Sequence, residues 1–528
     1  MRRARLLFTC AAVATSFGAA LVTSAAALGA CSSSDAKSPA PTDDGATNPE
    51  VAPLPVDGAG VDATGPDAAP RATLTPIYAR GYGSTVPDAG IPVTVAPTGL
   101  AVDPSGSVIV AGTYAGGSID LGNHPFAAPS GGSDAFLVQL DGMGLHLQSA
   151  AFGDQADQTG GEVVGTQAKL YASIDFAGTI AFPGSPITSA GMGTNPNSVT
   201  ARFGPPFQFG ALYGFASPSA LHITHLALGA SSSVIVFGDW TNSVEPQSLS
   251  SSATRNPLHP GLVVARILAD TAPDIAQTDY CPDGTSCVGN AIASNVAGEA
   301  LIGGRFMGTI GGIDGGAAVS TTADEDAYLM KLDAQLNRVW VASFGGAGVQ
   351  DVTAISAVPK TSDFVVAGVF HGSFTPPGQT PIQATDSGSD LFVMRIGPTG
   401  DVIWAKTFGG NGDDVVRGVA VDPDANIFLV GDFFGPGLTF GSTNDVLVNS
   451  DSQGRGTRDM FLAWLDGAGT HVFSRAYGSP GDESPIAVGL DAMNDLVVAG
   501  SFDQGIDFGS GLVRATGTKD MFVTRLSR

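Results

Sequence analysis

The sequence predicts an all-β fold: a seven-bladed β-propeller of four-stranded blades, closed by an N-terminal strand that completes the last blade. Three observations predict it. One landmark recurs seven times, at Gly112, Ile174, Gly238, Gly304, Gly368, Gly431 and Gly500, with gaps of 62 to 69 residues. Ile174 departs from glycine, but Phe176 and Gly178 behind it keep the pattern. Each unit holds four short apolar segments separated by Gly, Asp, Asn or Pro, and no window carries a long 3.6-residue apolar period. Finally, the last unit stops at Arg528 after three of its four segments.

In the clearest unit the segments lie near Val402–Phe408, Arg417–Asp422, Ile427–Phe433 and Met460–Leu465. Their Val, Ile, Phe and Ala suit strands, and four strands repeated radially make a propeller blade. The segment that the last unit lacks has the form Val402-Ile403-Trp404-Ala405-Lys406-Thr407-Phe408-Gly409. Pro76-Ile77-Tyr78-Ala79-Arg80-Gly81-Tyr82-Gly83, ahead of the first unit, matches it position for position. The closing strand, with Ile77, Tyr78 and Tyr82, is therefore expected to complete the last blade and cover the ring's exposed edges.

Residues 1–30 read as a targeting segment. Arg2, Arg3 and Arg5 precede an uncharged run from Leu6 to Ala30 that ends Leu28-Gly29-Ala30-Cys31. This end resembles the lipobox of bacterial lipoproteins, which implies cleavage before Cys31 and lipidation of its thiol. Cleavage after Ala25-Ala26-Ala27, or an uncleaved anchor, are the alternatives. Ser32, rather than Asp, follows the cysteine, which by the same resemblance points to the outer membrane. Residues 31–73 are rich in Ser, Ala, Pro, Asp and Gly and read as a disordered tether. As a flexible coil it would span roughly 35–40 Å. The propeller occupies residues 74–528.

The 528-residue chain carries a formal charge of −25, which disfavours nucleic acid as a partner. Of its four cysteines, only Cys281 and Cys287 fall in the folded region. Flanking a turn-rich loop in an oxidising compartment, they read as a local disulfide, and zinc would need more ligands than the loop offers.

The phrases Phe408-Gly409-Gly410-Asn411-Gly412-Asp413-Asp414, Val421-Asp422-Pro423 with Asn426, and Asp459 followed by Phe461 resemble the bacterial β-propeller repeat proteins called SBBP repeat proteins. The resemblance spans about residues 76–528 and is weakest in the second and third units. It implies an envelope propeller, without a reaction or a cofactor. Gly400-Asp401-Val402-Ile403-Trp404 and Asn337-Arg338-Val339-Trp340 are similar to the blade-docking motif of quinoprotein dehydrogenases, which implies packing anchors.

The residues weighed for chemistry are mostly turn formers. A carboxylate opens the third segment at Asp134, Asp326, Asp390, Asp459 and Asp520, replaced by Asn197 and Gly261 in two units. An Asx-type turn is expected there. Basic residues five positions later, at Arg202, Arg266, Lys331, Arg395 and Arg525, are expected to pair with acids on adjacent blades. The loop after the Phe/Tyr-Gly pair carries Asp157, Asp413 and Asp482 in register, Asp88 and Asp351 slightly displaced, and Asp414 and Glu483 beside them. Asp157, Asp351, Asp413, Asp414 and Asp482 could ring a channel mouth and bind Ca²⁺, although no loop has calcium-loop spacing. His222 and His225 stand three apart, so on a regular strand their rings diverge. No Gly-x-Ser-x-Gly elbow, phosphate loop or His-Glu-x-x-His is present, and no catalytic residue is assigned.

Two functions fit. One is a noncatalytic binding or scaffolding module of the bacterial cell envelope, held to the membrane by a lipid and facing a surface protein or polysaccharide. The other is an envelope enzyme (hydrolase, lyase or oxidoreductase) with its site at the channel mouth. Fold alone does not choose between them.

Overall fold

The computed structural model describes residues 73–85, 92–166, 169–182, 185–188, 197–204, 207–216, 221–229, 233–240, 247–248, 261–267, 286–310, 319–321, 324–376, 379–441, 446–451 and 456–528. All of these belong to one compact unit, Ala68–Arg528. Among them every regular element is a strand. Residues 1–72, with Cys31 and nearly all of the expected signal and tether segments, lie outside the described residues, as do Asp88 and Cys281. Cys287, at the start of blade 4, is disulfide-bonded.

Seven antiparallel sheets form the blades. Blade 1 consists of Thr94–Val102, Val108–Ala115, Ser133–Leu140 and His146–Phe152, and blade 2 of Gln158–Thr166, Lys169–Phe176, Asn197–Gly204 and Gln208–Ala216. Blade 3 shows three strands among the described residues, Leu221–Leu228, Val234–Trp240 and Gly261–Ile267. Blade 4 comprises Ser286–Ser294, Ala300–Met307, Asp326–Leu332 and Arg338–Phe344. Blade 5 comprises Gln350–Ala357, Phe364–His371, Ser389–Ile396 and Val402–Phe408. Blade 6 comprises Asp414–Val421, Ile427–Phe433, Asp459–Leu465 and His471–Tyr477. Blade 7 takes Glu483–Leu490, Leu496–Phe502 and Asp520–Ser527 from the C-terminus, and Thr75–Ser84 from the N-terminus. This last strand pairs antiparallel with Asp520–Ser527, from Thr75↔Ser527 to Tyr82↔Met521. Each first strand packs on the next, and that of blade 7 returns to that of blade 1, so the ring is closed.

The recurring residues have local causes. In blades 1, 4, 5, 6 and 7 the landmark glycine lies opposite an aromatic of the third strand: Gly431 pairs with Phe461, whose ring is 2.6 Å from where a Cβ would stand. Blade 3 keeps Gly238 opposite Val263, where a Cβ would stand 1.9 Å from the first-strand carbonyl of His222, and blade 2 pairs Ile174 with Val199. The glycine of each Phe/Tyr-Gly pair admits the carboxylate that opens the third strand. A Cβ on Gly409 would lie 2.1 Å from Asp390 Oδ1, and Gly83 on the closing strand makes the same approach to Asp520. Those acids cap the preceding loop: Asp390 Oδ2 accepts from Thr385 N at 2.7 Å, and Asp520 Oδ2 from Thr516 N at 2.6 Å.

Apolar faces of neighbouring blades interlock, for example Val365, Leu391 and Val393 of blade 5 with Val416, Leu429 and Phe461 of blade 6. A clamp reinforces the outer part of the seam. Trp404 Nε1 and Arg395 Nη1 both donate to Gly467 O of blade 6, at 3.1 and 3.3 Å. Trp340 Nε1 and Lys331 Nζ do the same to Pro398 O of blade 5, each at 3.1 Å. At the closing seam Arg525 Nη1 donates to Gly142 O at 3.1 Å and Tyr82 Oη to Gly144 O at 2.6 Å. The expected pairing of these basic residues with acids of adjacent blades needs correction. Arg395, Lys331 and Arg525 take their acids, Asp363, Glu299 and Asp495, from their own blade, and reach the neighbour through a turn carbonyl. Trp404→Phe should keep most of the packing and lose the indole donor. Its expected cost is about 1 kcal/mol, read as a lower urea midpoint at unchanged slope.

Candidate functional site

The first strands of all seven blades line a central cavity of about 230 Å³. What they present to it depends on a shared irregularity. Every first strand slips register against its second strand at the same level. The slips fall between Pro97 and Gly99, Gly160 and Val163, Ile223 and His225, and Gly289 and Ala291. They continue between Val352 and Ala354, Val416 and Gly418, and Pro485 and Ala487. A β-bulge re-aims the extra side chain. The extra residues are Thr98, Gly161 with Glu162, Thr224, Asn290, Thr353, Arg417 and Ile486. All but Gly161 line the cavity, together with His225.

Most of the polar lining also joins blades. Thr98 Oγ1 donates to Gly161 O at 2.9 Å, and Thr353 Oγ1 to Val416 O at 2.7 Å. Asn290 Nδ2 donates to both oxygens of Asp351, at 2.7 and 2.9 Å. Asp351 also meets Arg305 Nη1 at 2.7 Å. Burial raises the Asp351 pKa, and the Arg305 charge opposes the rise. Glu162 Oε2 accepts from Leu226 N at 2.6 Å and lies 3.5 Å from His225 Nδ1. Arg417 Nε donates at 2.7 Å to Asp432, a fully buried carboxylate that Arg458 Nη1 also meets, at 2.9 Å.

The histidine pair departs from expectation. His222 Nδ1 lies 2.8 Å from Asp175 and His225 Nδ1 3.5 Å from Glu162, and both acids belong to blade 2. The rings do not diverge, because the bulge at Thr224 inserts one residue and restores a common side. The hydrogen bond to Asp175 raises the His222 pKa.

The five acids read as possible calcium ligands take three different places. Asp157, Asp413 and Asp482 sit at blade seams, where each Oδ1 accepts a backbone N–H of the preceding blade: Ser133 at 3.0 Å, Ser389 at 3.2 Å and Arg458 at 3.0 Å. Asp351 lies on the first strand of blade 5 rather than in a loop. Asp414 is buried at the head of blade 6, where its Oδ2 accepts from Gly410 N at 3.0 Å. Among the described residues no three His, Cys, Asp or Glu gather to hold a metal ion. With protein donors already on these carboxylates, millimolar Ca²⁺ is expected to leave the unfolding temperature unchanged. A saturable rise would show that the loops rearrange around the ion.

Asp414 has equivalents at the heads of three other first strands, Gln158, Gln350 and Glu483, all fully buried. Gln350 Nε2 donates to Ser373 O at 2.8 Å, and Glu483 accepts from Ser479 N at 3.0 Å and Ser479 Oγ at 2.7 Å. Burial, aided by the nearby Asp390, pushes Asp414 up to about 8. Burial likewise pushes Glu483 up to about 9, with Asp459 and Asp503 adding to the rise and the Ser479 bonds opposing it.

Fold and site together define a closed seven-bladed β-propeller with a narrow, mixed-charge channel. No known family profile matches the chain. A stretch of 167 residues is 25% identical to an uncharacterized WD repeat-containing protein of Acanthamoeba polyphaga mimivirus, covering 28% of this chain and 11% of that protein. The WD40 domain of Neurospora crassa Pan2 is 8% identical over 69% of this chain and 88% of its own, with a TM-score of 0.29. Chaetomium thermophilum Sqt1, solved bound to the N-terminus of a ribosomal protein, is 9% identical over 81% of this chain and 96% of its own, with a TM-score of 0.39. A Dyadobacter fermentans protein of unknown function is 10% identical over 70% of this chain and 94% of its own, with a TM-score of 0.37.

Proposed function

We propose that this chain is a noncatalytic binding or scaffolding propeller of the bacterial cell envelope, of the kind the SBBP resemblance implies, anchored through lipidated Cys31. The observation that carries the binding reading is the commitment of the channel's polar groups. Catalysis needs an acid, a base and a charge-stabilising group converging on one reacting atom. Here Glu162 and His225 are paired with each other, Asn290 is held by Asp351, and Arg417 stands on a different blade, against Asp432. The basic start, the uncharged run and the Cys31 context support the anchor, and the tether would let the propeller reach a surface protein or polysaccharide.

The test uses the full chain with its own N-terminus, produced in a bacterium. Membrane fractionation should retain the chain and release the Cys31→Ala variant; retention of that variant would overturn the anchor. Unfolding temperature should rise saturably with at least one of a panel of envelope polysaccharides, without turnover. Hydrolysis, elimination or oxidation of a panel member would overturn the noncatalytic reading in favour of an envelope enzyme.

A further inference from the structure

The channel wall is polarised, and its unused hydrogen-bonding capacity lies on well-separated blades. On blade 2, Glu162 uses Oε2 for Leu226 N and the His225 contact, while Oε1 meets no donor among the described residues. On blade 6, Arg417 uses Nε for Asp432, and its two terminal nitrogens meet no acceptor among the described residues. The Arg417 side chain keeps 44% of its surface exposed although its partner Asp432 is 0% exposed. Both side chains line the same cavity. Blades 2 and 6 are separated by three steps one way round the ring and four the other, the greatest separation seven blades allow.

Beside Glu162 the lining carries His225, and between the poles it is polar or aliphatic: Thr98, Thr224, Asn290, Thr353 and Ile486. The volume of about 230 Å³ has room for roughly seven or eight waters, which suits a compact molecule rather than a polymer. A carboxylate accepts well from an ammonium, and the two free ends of a guanidinium suit a carboxylate held by two parallel bonds. We infer that the channel binds a small zwitterion, an amino acid or short peptide whose ammonium meets Glu162 and whose carboxylate meets Arg417.

This inference rests on the binding reading above and names a ligand class for the channel itself. It is tested by calorimetric titration of the full chain with ω-amino acids of graded length, from glycine through 4-aminobutyrate to 6-aminohexanoate, and with diglycine. Fixed walls predict a length optimum. At that optimum, the N-acetylated and the carboxamide forms should each bind about 10- to 100-fold more weakly, the loss expected for one charged partner. Glu162→Gln and Arg417→Gln should each produce a loss of the same order. Glu162→Gln can still accept from Leu226 N, and in Arg417→Gln Asp432 keeps Arg458 and Ser484, so a retained cooperative unfolding transition will show that both variants fold.

Equal affinity for blocked and free zwitterions would overturn the proposal, as would unchanged binding in both variants. If no zwitterion binds while a polysaccharide still shifts unfolding, the channel assignment fails and the scaffold reading stands. If neither class binds, both fail.

Discussion

Deleting residues 77–83 is expected to abolish cooperative folding of the propeller. The closing strand supplies the fourth strand of blade 7 and buries Tyr78 and Tyr82, exposed by only 6% and 3%. It also carries the closing clamp, through Tyr82 Oη to Gly144 O and Arg80 Nε to Met143 O at 2.8 Å. Truncating one buried aromatic to alanine costs about 3–5 kcal/mol. Losing two, together with a strand ladder, approaches the total stability of about 5–15 kcal/mol typical of a native domain. Circular dichroism through a urea gradient should show no sharp transition for the deletion. Tyr82→Phe, which removes only one hydrogen bond, should fold and lose about 1 kcal/mol. A peptide spanning residues 73–85, added to the deletion variant, should restore the transition. Full stability without the strand would rule out this closure.

Alkaline pH should weaken the propeller, and Asp414→Asn with Glu483→Gln should remove much of the effect. The sign follows from the raised values of about 8 and about 9. Below about pH 3 both carboxyls are protonated in folded and unfolded chains alike, so they add no pH dependence. As pH rises from there, the unfolded chain releases protons that the folded chain keeps, and stability falls. The loss is complete once pH passes the folded values, and it amounts to something on the order of 6 kcal/mol per acid. Gln158 and Gln350 show that this position accepts an amide. The amide variants should therefore match the wild type near pH 3 and exceed it at pH 9. Equal stability at pH 9 would show that these acids ionise freely in the fold.

Much of this architecture could be read in advance because repetition reports on packing. The landmark spacing and the split last unit gave blade number and closure, both matters of chain connectivity. The indole anchors at Trp340 and Trp404 were also readable, since a lone large aromatic at a fixed place in a repeat has few other uses. The channel was not readable. Glu162, Asn290 and Arg417 look like ordinary strand residues, and alternation cannot reveal where a bulge inserts one residue. The same bulge reversed the expected geometry of His222 and His225. Asp414 and Glu483 looked like loop carboxylates because composition does not report depth; only the fold reveals that they occupy a glutamine's place.

The bulges have one further consequence, for how such a protein can diversify. The residues between blades are interlocked, as Leu391 of blade 5 and Phe461 of blade 6 are, so a change there must be matched by a neighbour. The bulged positions are held less tightly: the backbone delivers whatever side chain stands there to the channel, and although Thr98, Glu162, Asn290 and Thr353 also bond the next blade, Ile486 fills the same place with no polar group at all. Threonine, glutamate, asparagine, arginine and isoleucine already share this one setting in a single chain. Descendants of such a gene could therefore acquire new ligands by point changes, one blade at a time, while inheriting the ring intact.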